Sequence, residues 1–236
     1  MTNLALEVTD LQAWHDDAHV LHNVNFNAAP GEAVTLLGRR GSGRSTALRA
    51  LLGLTVKRSG SIRIHGAESI HLPASKITHL GVGYCFEDYN IIADLTCEEN
   101  LLLPPSTEDT LGGGMSLAEI YELLPYLEER RDSLGTHFSR GGQQILAIAR
   151  ILRSGANILL LNKTSEDLTP VVTRTLASMI TTLKEKGYAI VLVDQNEQFS
   201  APLADRFYVM DHGHIIDHFE AAELSAKKGV LNALNA

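Results

Sequence analysis

The chain has 236 residues, of which 44% are hydrophobic, and its formal net charge is −8 at pH 7. This length allows one large domain, or a domain with a subdomain, and the composition allows a full hydrophobic core. The negative charge argues against a general nucleic-acid-binding protein, because such proteins usually present a basic face. No nucleic-acid partner is therefore expected.

Two further classes are disfavoured by the sequence. The opening MTNLALEVTDLQAW lacks the basic flank and apolar block of a signal peptide, and no run approaches the roughly 20 apolar residues of a membrane span. Cys85 and Cys97 have no metal-binding or redox spacing, which favours small apolar fillers in a reducing compartment.

The first third of the chain has a strand pattern. Residues 1–35 alternate apolar and polar positions, which predicts half-buried antiparallel strands. The continuous apolar run AVTLLG, residues 33–38, predicts a buried strand that enters a turn at its final glycine. Residues 45–54 have helical spacing, and SGSIRIHG returns to a strand pattern.

Helical patterns begin near Leu95, in LTCEENLLL, MSLAEIYELLPYLEERR and GGQQILAIARIL. The pattern then predicts a strand at ANILLLN, a helix over residues 170–186, a strand at YAIVLVD and a hairpin at DRFYVMDHGHIIDHF. Such alternation indicates an α/β fold with a parallel core sheet. We predict one domain over 1–236, with a β and core part at 1–93 and 150–236 and an inserted helical subdomain at about 94–149.

The stretch GRRGSGRST, residues 38–46, fits the phosphate-loop pattern G-x-x-x-x-G-K-[ST] with one change, since Arg44 stands at the lysine position. Gly38, Gly41 and Gly43 would let the backbone turn its N–H groups toward a phosphate, and the following helix would add its positive end. The alternative is a glycine-rich turn without a ligand. Arg44 could still attract phosphate, or it could fill the phosphate's place, because arginine is larger and planar.

A second unusual stretch is ILLLNKTSEDL, residues 158–168. Its apolar run predicts a buried parallel strand. Nucleotide-hydrolysing enzymes often end such a strand in carboxylates that hold Mg²⁺ and orient water. Here the strand ends in the amide of Asn162 and the ammonium of Lys163.

Taken together, these motifs resemble the ATP-binding subunits of ABC importers, over about residues 4–234. The narrower resemblance is to the second ATP-binding subunit of the branched-chain amino-acid and amide group. It rests on YCFEDYNIIADLTCEENLLL, LPYLEERR, GGQQILAIARIL, SEDLTP, LVDQN and LADRFYVMDHG, in the same order and spacing. The resemblance implies an ABC-type P-loop fold, with an N-terminal antiparallel β subdomain and an inserted helical subdomain.

The resemblance also implies partners and cofactors. In the family two nucleotide-binding subunits pair head to tail, and each ATP with its Mg²⁺ lies between the phosphate loop of one and the signature loop of the other. Transmembrane permease subunits complete the transporter, and the ATP-binding subunits are peripheral on the cytoplasmic face of the inner or plasma membrane. The second subunit here would be either another copy or a different chain.

Carried over residue by residue, the resemblance assigns adenine stacking to His15, with Trp14 beside it. It assigns Mg²⁺ contacts to Ser45, Glu87 and Asn162, and the switch position to Gln195. The remaining nucleotide-binding positions are Gly38, Arg39, Arg40, Gly41, Ser42, Gly43, Arg44, Ser45 and Thr46. The signature loop, which would act on the partner's nucleotide, is Phe138, Ser139, Arg140, Gly141, Gly142 and Gln143.

Four sites depart from the family pattern, and the signature loop is one of them. Arg44 replaces the phosphate-binding lysine, Asn162 replaces an aspartate that holds Mg²⁺, and Lys163 replaces the glutamate that polarises the attacking water. In the signature loop Arg140 replaces the first glycine, and Gly142 replaces the glutamate. A lesser change places Asp167 at a glycine position.

These departures favour a pseudo-ATPase, because an ammonium cannot accept a proton and a lost general base costs roughly 10²–10⁴ in rate. We therefore expect a structural or regulatory subunit with weakened or absent ATP and Mg²⁺ binding, and no confident catalytic residue. One alternative is an active motor subunit, with Glu166 or Asp167 replacing the lost carboxylates. Another is an ABC protein that acts away from membranes.

Two other groups of residues, one of histidines and one of arginines, have more than one interpretation. His212, His214 and His218 form H-x-H-x₃-H, which could bind a metal but which we interpret as a hairpin turn with polar faces. Arg39 and Arg40 could contact phosphate, or they could be solvated loop charges, and Arg44 with Arg140 could create a new anion site.

Overall fold

The structure is a computed structural model that describes residues 4–55, 57–85, 89–103, 113–166, 168–194 and 196–227. In this part of the chain, no helix combines the length and the apolar character needed to cross a membrane.

The predicted antiparallel strands form a four-stranded sheet in the order β2-β1-β4-β5. Its strands are β1 (Leu6–His15), β2 (Ala18–Ala28), β4 (Lys57–Ile64) and the short β5 (Ala67–Glu68). The alternation of buried and exposed residues in β1 puts one face on the core, as a half-buried strand requires.

The second sheet has six strands in the order β10-β9-β3-β8-β7-β6. These strands are β3 (Ala33–Gly38), β6 (Val82–Cys85), β7 (Ile158–Asn162), β8 (Ala189–Val193), β9 (Arg206–Asp211) and β10 (His214–Glu220). Its pairs are parallel except for the hairpin of β9 and β10. Every residue of β7 and β8 is buried, because helices or the first sheet cover both faces.

Eight α-helices lie in the described residues. They are α1 (Arg44–Leu51), α2 (Ala74–His79), α3 (Cys97–Leu102), α4 (Leu117–Leu123), α5 (Pro125–Glu129), α6 (Arg140–Arg153), α7 (Pro170–Glu185) and α8 (Glu197–Ser200). The helix expected over MSLAEIYELLPYLEERR is two helices, because Leu124 (φ −135°, ψ 70°) leaves the helical region just before Pro125. Strand β6 and helix α2 lie in a part of the sequence that gave no prediction.

Two large apolar clusters lie on opposite faces of the six-stranded sheet. One joins the sheet to the four-stranded sheet and α1, through residues such as Leu21, Leu48 and Ile62. The other joins it to α3, α6 and α7, through residues such as Leu101, Ile148 and Met179. The core sheet is therefore held from both sides, and the ends of its strands are fixed in position.

Candidate nucleotide-binding site

A cleft of about 880 Å³ opens at the carboxyl ends of β3, β7 and β8. Neighbouring parallel strands bring their carboxyl ends to one edge, which is where α/β folds bind ligands. The described residues that line the cleft are His15, Val20, Arg39, Arg40, Gly41, Ser42, Gly43, Arg44, Ser45, Thr46, Lys163, Ser165, Glu166 and Asn196. The cleft thus combines the predicted phosphate loop with the end of ILLLNK.

The phosphate loop runs from the end of β3 into α1, as predicted. Its last glycine, Gly43, caps the helix with φ 104° and leaves the first turn without a side-chain cap. The positive φ favours glycine, and a Cβ at Gly43 would lie 2.8 Å from Leu21 Cδ2, so that side chain would have to shift for any other residue. The uncapped N–H groups of α1 therefore face the cleft with the positive end of the helix dipole.

Arg44 lies beneath the loop, at one wall of the cleft. The residue is 6% exposed, and its guanidinium donates to the carbonyl oxygens of Asp194 (3.5 Å) and Arg39 (3.4 Å). Burial lowers the pKa of Arg44, while the charges of Asp194 and Glu166 act in the opposite direction. The guanidinium still carries its charge, so Arg44 contributes a positive field beneath the loop.

Asn162 ends β7 beside the loop, and the two halves of its amide have separate partners. Ser45 Oγ donates to Asn162 Oδ1 at 3.3 Å, and Asn162 Nδ2 donates to Tyr84 Oη at 3.3 Å. The resemblance assigned Mg²⁺ contacts to both Ser45 and Asn162, and here their side chains are hydrogen-bonded to each other. This pair of neutral oxygens does not fit Mg²⁺ well, because Mg²⁺ is normally anchored by carboxylates or phosphates.

Lys163 lies in the cleft with a positive φ of 53°, a conformation that is uncommon outside glycine. Its N–H donates to the carbonyl of Val193 at 2.6 Å, which ties it to the next strand. The next residue is Thr164 and not a proline, so the steric limits that a proline places on the residue before it do not apply to Lys163. The position that would polarise water thus carries an ammonium group.

Sequence reasoning missed three described residues that line the cleft, Val20, Ser165 and Asn196, and also Asp194, which binds two of them. Asp194, 1% exposed, follows β8 and accepts hydrogen bonds from Ser165 N, Ser165 Oγ and Asn196 N, each at 2.8 Å. This carboxylate organises the loops after β7 and β8. The sequence did carry a signal for Asp194, because the predicted buried strand YAIVLVD ends in this acidic residue, as the predicted strand ILLLN ends in Asn162.

Of the two rings predicted to meet adenine, only His15 lines the cleft. Trp14 stacks on His19 of β2, with ring centroids 4.2 Å apart, and Lys57 Nζ of β4 lies 4.4 Å from the Trp14 centroid. Since β2 and β4 flank β1 on opposite sides, both faces of the indole are occupied. Adenine stacking by His15 stays a prediction, and Trp14 beside it has no open ring face.

The signature loop forms the start of α6, which Ser139 caps by accepting from Gly142 N at 3.2 Å. Phe138 is buried against Tyr126, and Gln143 Nε2 donates to the carbonyl of Gly135 at 3.1 Å. None of these residues is among the described residues that line the cleft.

Arg140 is exposed, and its Nε donates to Tyr89 Oη at 3.4 Å. Tyr89 donates to Gln144 Oε1 at 3.3 Å, and Gln144 Nε2 donates to the carbonyl of Thr164 at 2.8 Å. The signature arginine is thus connected, through a buried glutamine, to the residue that follows Lys163. The sequence did not predict this connection.

Three predicted positions lie outside the described residues, namely Glu87, Gln195 and Asp167. Within the described part of the chain, no group of three or more His, Cys, Asp or Glu residues is arranged to hold a metal. His214 instead stacks on His22, and His218 stacks on Tyr208.

Comparison with known proteins supports the family suggested by these motifs. The sequence pattern of the ABC transporter family matches residues 21–164. The chain is 34% identical to the high-affinity branched-chain amino acid transport ATP-binding protein BraG of Pseudomonas aeruginosa, over 97% of this chain and 98% of that protein. The chain belongs to the ABC transporter family of ATP-binding subunits.

Other ABC proteins agree with this assignment. The probable branched-chain amino acid transport ATP-binding protein LivF of Archaeoglobus fulgidus is 29% identical, over 93% of both chains. A solved structure of the ATP-binding subunit of an ABC transporter is 26% identical, with a TM-score of 0.81 and 98% of both chains covered. The predicted ABC-type fold class is confirmed.

Proposed function

We propose that this chain is the nucleotide-binding subunit of a membrane ABC importer of the branched-chain amino-acid or amide type, and that its own site is impaired in ATP hydrolysis. The similarity to BraG over almost the full length of both chains supports the importer assignment. The observation that carries the impairment is the end of β7, where Asn162 and Lys163 stand beside the phosphate loop.

The geometry explains why this site would be slow. A general base must reach the attacking water within a hydrogen bond, and its loss costs roughly 10²–10⁴ in rate. Lys163 lines the cleft, and its ammonium group donates protons and cannot accept one. The phosphate loop keeps its uncapped helix N-terminus, so the site would retain a nucleotide without turning it over.

The subunit would act through its surfaces. We propose that it pairs with a second nucleotide-binding subunit, identical or different, and docks on transmembrane permease subunits at the cytoplasmic face of the membrane. In this arrangement ATP would lie between its phosphate loop and the partner's signature loop. Arg140, exposed at the start of α6, would face the partner's phosphates in place of a glycine backbone.

An active motor subunit is a second candidate, and one observation favours it. Glu166 lines the same cleft as the phosphate loop, and its charge acts on Arg44. If Glu166 could accept the proton of the attacking water, the lost carboxylate would be replaced from three residues further along the chain.

Hydrolysis by the assembled transporter separates the two candidates. We expect the quadruple variant Arg44→Lys, Arg140→Gly, Asn162→Asp and Lys163→Glu to raise phosphate release at least about tenfold, within the range that a general base contributes. A native complex that already works at the rate of the restored variant would contradict the impairment. In that case Glu166→Gln should abolish turnover, which would identify the motor with a displaced base.

A further inference from the structure

The charge of the cleft is opposite to that of the whole chain. The chain carries −8, yet Arg39, Arg40, Arg44 and Lys163 all line the cleft. Among the described lining residues, Glu166 carries the only carboxylate. The cleft is therefore built for an anion with several negative charges.

One of these cations, Lys163, directly follows a position where a divalent metal would need a negative ligand. Ser45 Oγ and Asn162 Oδ1 are the oxygens that face each other at the end of β7, and both are neutral. Lys163 is the next residue and lies in the same cleft. A divalent cation placed there would be repelled by the ammonium, and neither of these two oxygens supplies the carboxylate charge that offsets its dehydration. Glu87, the third predicted Mg²⁺ contact, lies outside the described residues.

The carboxylate of Asp194, which follows β8, is already bound within the protein. Asp194 accepts three hydrogen bonds, two from Ser165 and one from Asn196. Its backbone carbonyl also accepts from Arg44. Asp194 therefore fixes the loops and Arg44, and it is not among the described residues that line the cleft.

The phosphate loop also holds a buried hydroxyl, that of Ser42, which is 3% exposed as a residue and lines the cleft. This hydroxyl has no hydrogen-bond partner within the part of the chain that the structure describes. Its oxygen is closed off beside Gly38, whose Cβ position is 2.5 Å away. The preference of the cleft for an anion therefore comes from the cationic side chains and the N-terminus of α1.

We infer that the cleft binds a nucleoside polyphosphate as the metal-free anion, with Lys163 and the loop arginines supplying the positive charge that Mg²⁺ supplies elsewhere. This inference rests on the proposed nucleotide site and specifies its ligand. Lys163 would pair with the terminal phosphate, since an ammonium is a compact point charge. Arg44 would act from beneath the loop through its field, because its guanidinium is held by two carbonyls.

Calorimetric titration of the purified full chain with ATP tests the inference, once in excess EDTA and once in excess MgCl₂. The expected dissociation constant in EDTA is equal to or lower than that in MgCl₂. The variant Asn162→Asp with Lys163→Glu restores two carboxylates, and it should lose at least about tenfold in metal-free affinity while gaining affinity in MgCl₂. The control is Lys186→Glu, because Lys186 is exposed at the end of α7. This variant makes the same charge change as Lys163→Glu but at a residue outside the cleft, and it should bind ATP as the native chain does.

Binding that is at least about tenfold tighter in MgCl₂ than in EDTA would overturn the inference. An absence of binding under both conditions would overturn it as well. Tighter binding in MgCl₂ would leave the proposed function as it is. An absence of binding would also remove the proposed retention of a nucleotide, but it would leave the assembly with permease subunits to its own experiment. If Lys186→Glu and Lys163→Glu lost the same affinity for ATP, net charge alone would explain the loss. That result would also contradict the inference.

Discussion

The ion pair between Arg206 and Glu32 shows how single side chains hold this fold together. Arg206 also donates to Asn27 and Tyr208, so one guanidinium joins β2, β9 and the turn before β3. The hydrogen bond from Arg206 to Glu32 raises the pKa of Arg206. Both side chains are largely buried, at 20% and 15% exposed.

Removing one partner of this pair leaves the other charge buried. We expect Arg206→Met to lower the free energy of unfolding by about 3 kcal/mol, because Glu32 loses its counter-ion. Lys184→Met, which breaks the more exposed pair with Asp205, should cost about 1 kcal/mol or less. Urea unfolding followed by circular dichroism measures both, and equal costs for the two variants would contradict this explanation.

The two cysteines are predicted to be chemically inert. Burial raises the pKa of Cys85 and, together with the charge of Glu98, that of Cys97, to about 12 in each case. At pH 8 only on the order of one thiol in 10⁴ would then be the reactive thiolate. We expect no iodoacetamide labelling of the native chain within minutes, and labelling of both thiols after unfolding in urea. Mass spectrometry that found either cysteine rapidly labelled in the native chain would refute this.

The β9–β10 hairpin supports the phosphate loop at the scale of whole elements. Gly213, in the turn, has φ 78°, donates to the carbonyl of Ser42 and accepts from His22 N, each at 2.9 Å. A Cβ at Gly213 would lie 1.9 Å from the carbonyl oxygen of Val20. One turn therefore contacts both the loop and β2.

We expect Gly213→Ala to destabilise the chain by about 3 kcal/mol or more, because strain in φ is combined with a backbone clash. Gly66→Ala is the matched control, since Gly66 has φ 81° with nothing within 4 Å of its Cβ position. That variant should cost only about 1 kcal/mol. Thermal unfolding of the two variants gives the comparison, and a cost for Gly66→Ala as large as that for Gly213→Ala would show that the clash is unimportant.

Elements with a strong local pattern were predictable from sequence. The buried runs of β3, β7 and β8 and the apolar face of α6 were found within a residue or two, because their periodicity is set by burial. Helix α2 and strand β6 were not found, since they are short and β6 is recognisable only by its pairing with β7. The predicted subdomain boundaries, at about 94 and 149, stay a prediction.

The residues of the site that belong to recognisable sequence motifs were predictable. The sequence identified the phosphate loop, Asn162 and Lys163, and the cleft brings the loop and Lys163 together. The orientation of Arg44 and the occupied faces of Trp14 could not be foreseen, because both depend on partners distant in sequence, such as Asp194 and Lys57. The link from Arg140 through Tyr89 to Gln144 depends in the same way on tertiary packing.

For the whole molecule, the distribution of charge agrees with a nucleotide-binding subunit that does not turn over. The fold is that of an ABC ATP-binding subunit, and the chain as a whole is acidic. Positive side chains lie around the phosphate loop and at the end of β7. Their fields favour a bound polyphosphate, but Lys163 provides no base to activate water.

The most direct test of this account is the chemical state of the nucleotide that the chain retains. Purified full-length chain would be incubated with ATP, passed through a desalting column to remove free nucleotide, and denatured for analysis of what stayed bound. The account predicts that the retained nucleotide is ATP, in the presence or absence of Mg²⁺. Retained ADP formed at the rate of a working ABC ATPase would contradict it, and the cationic cleft would then belong to an active motor.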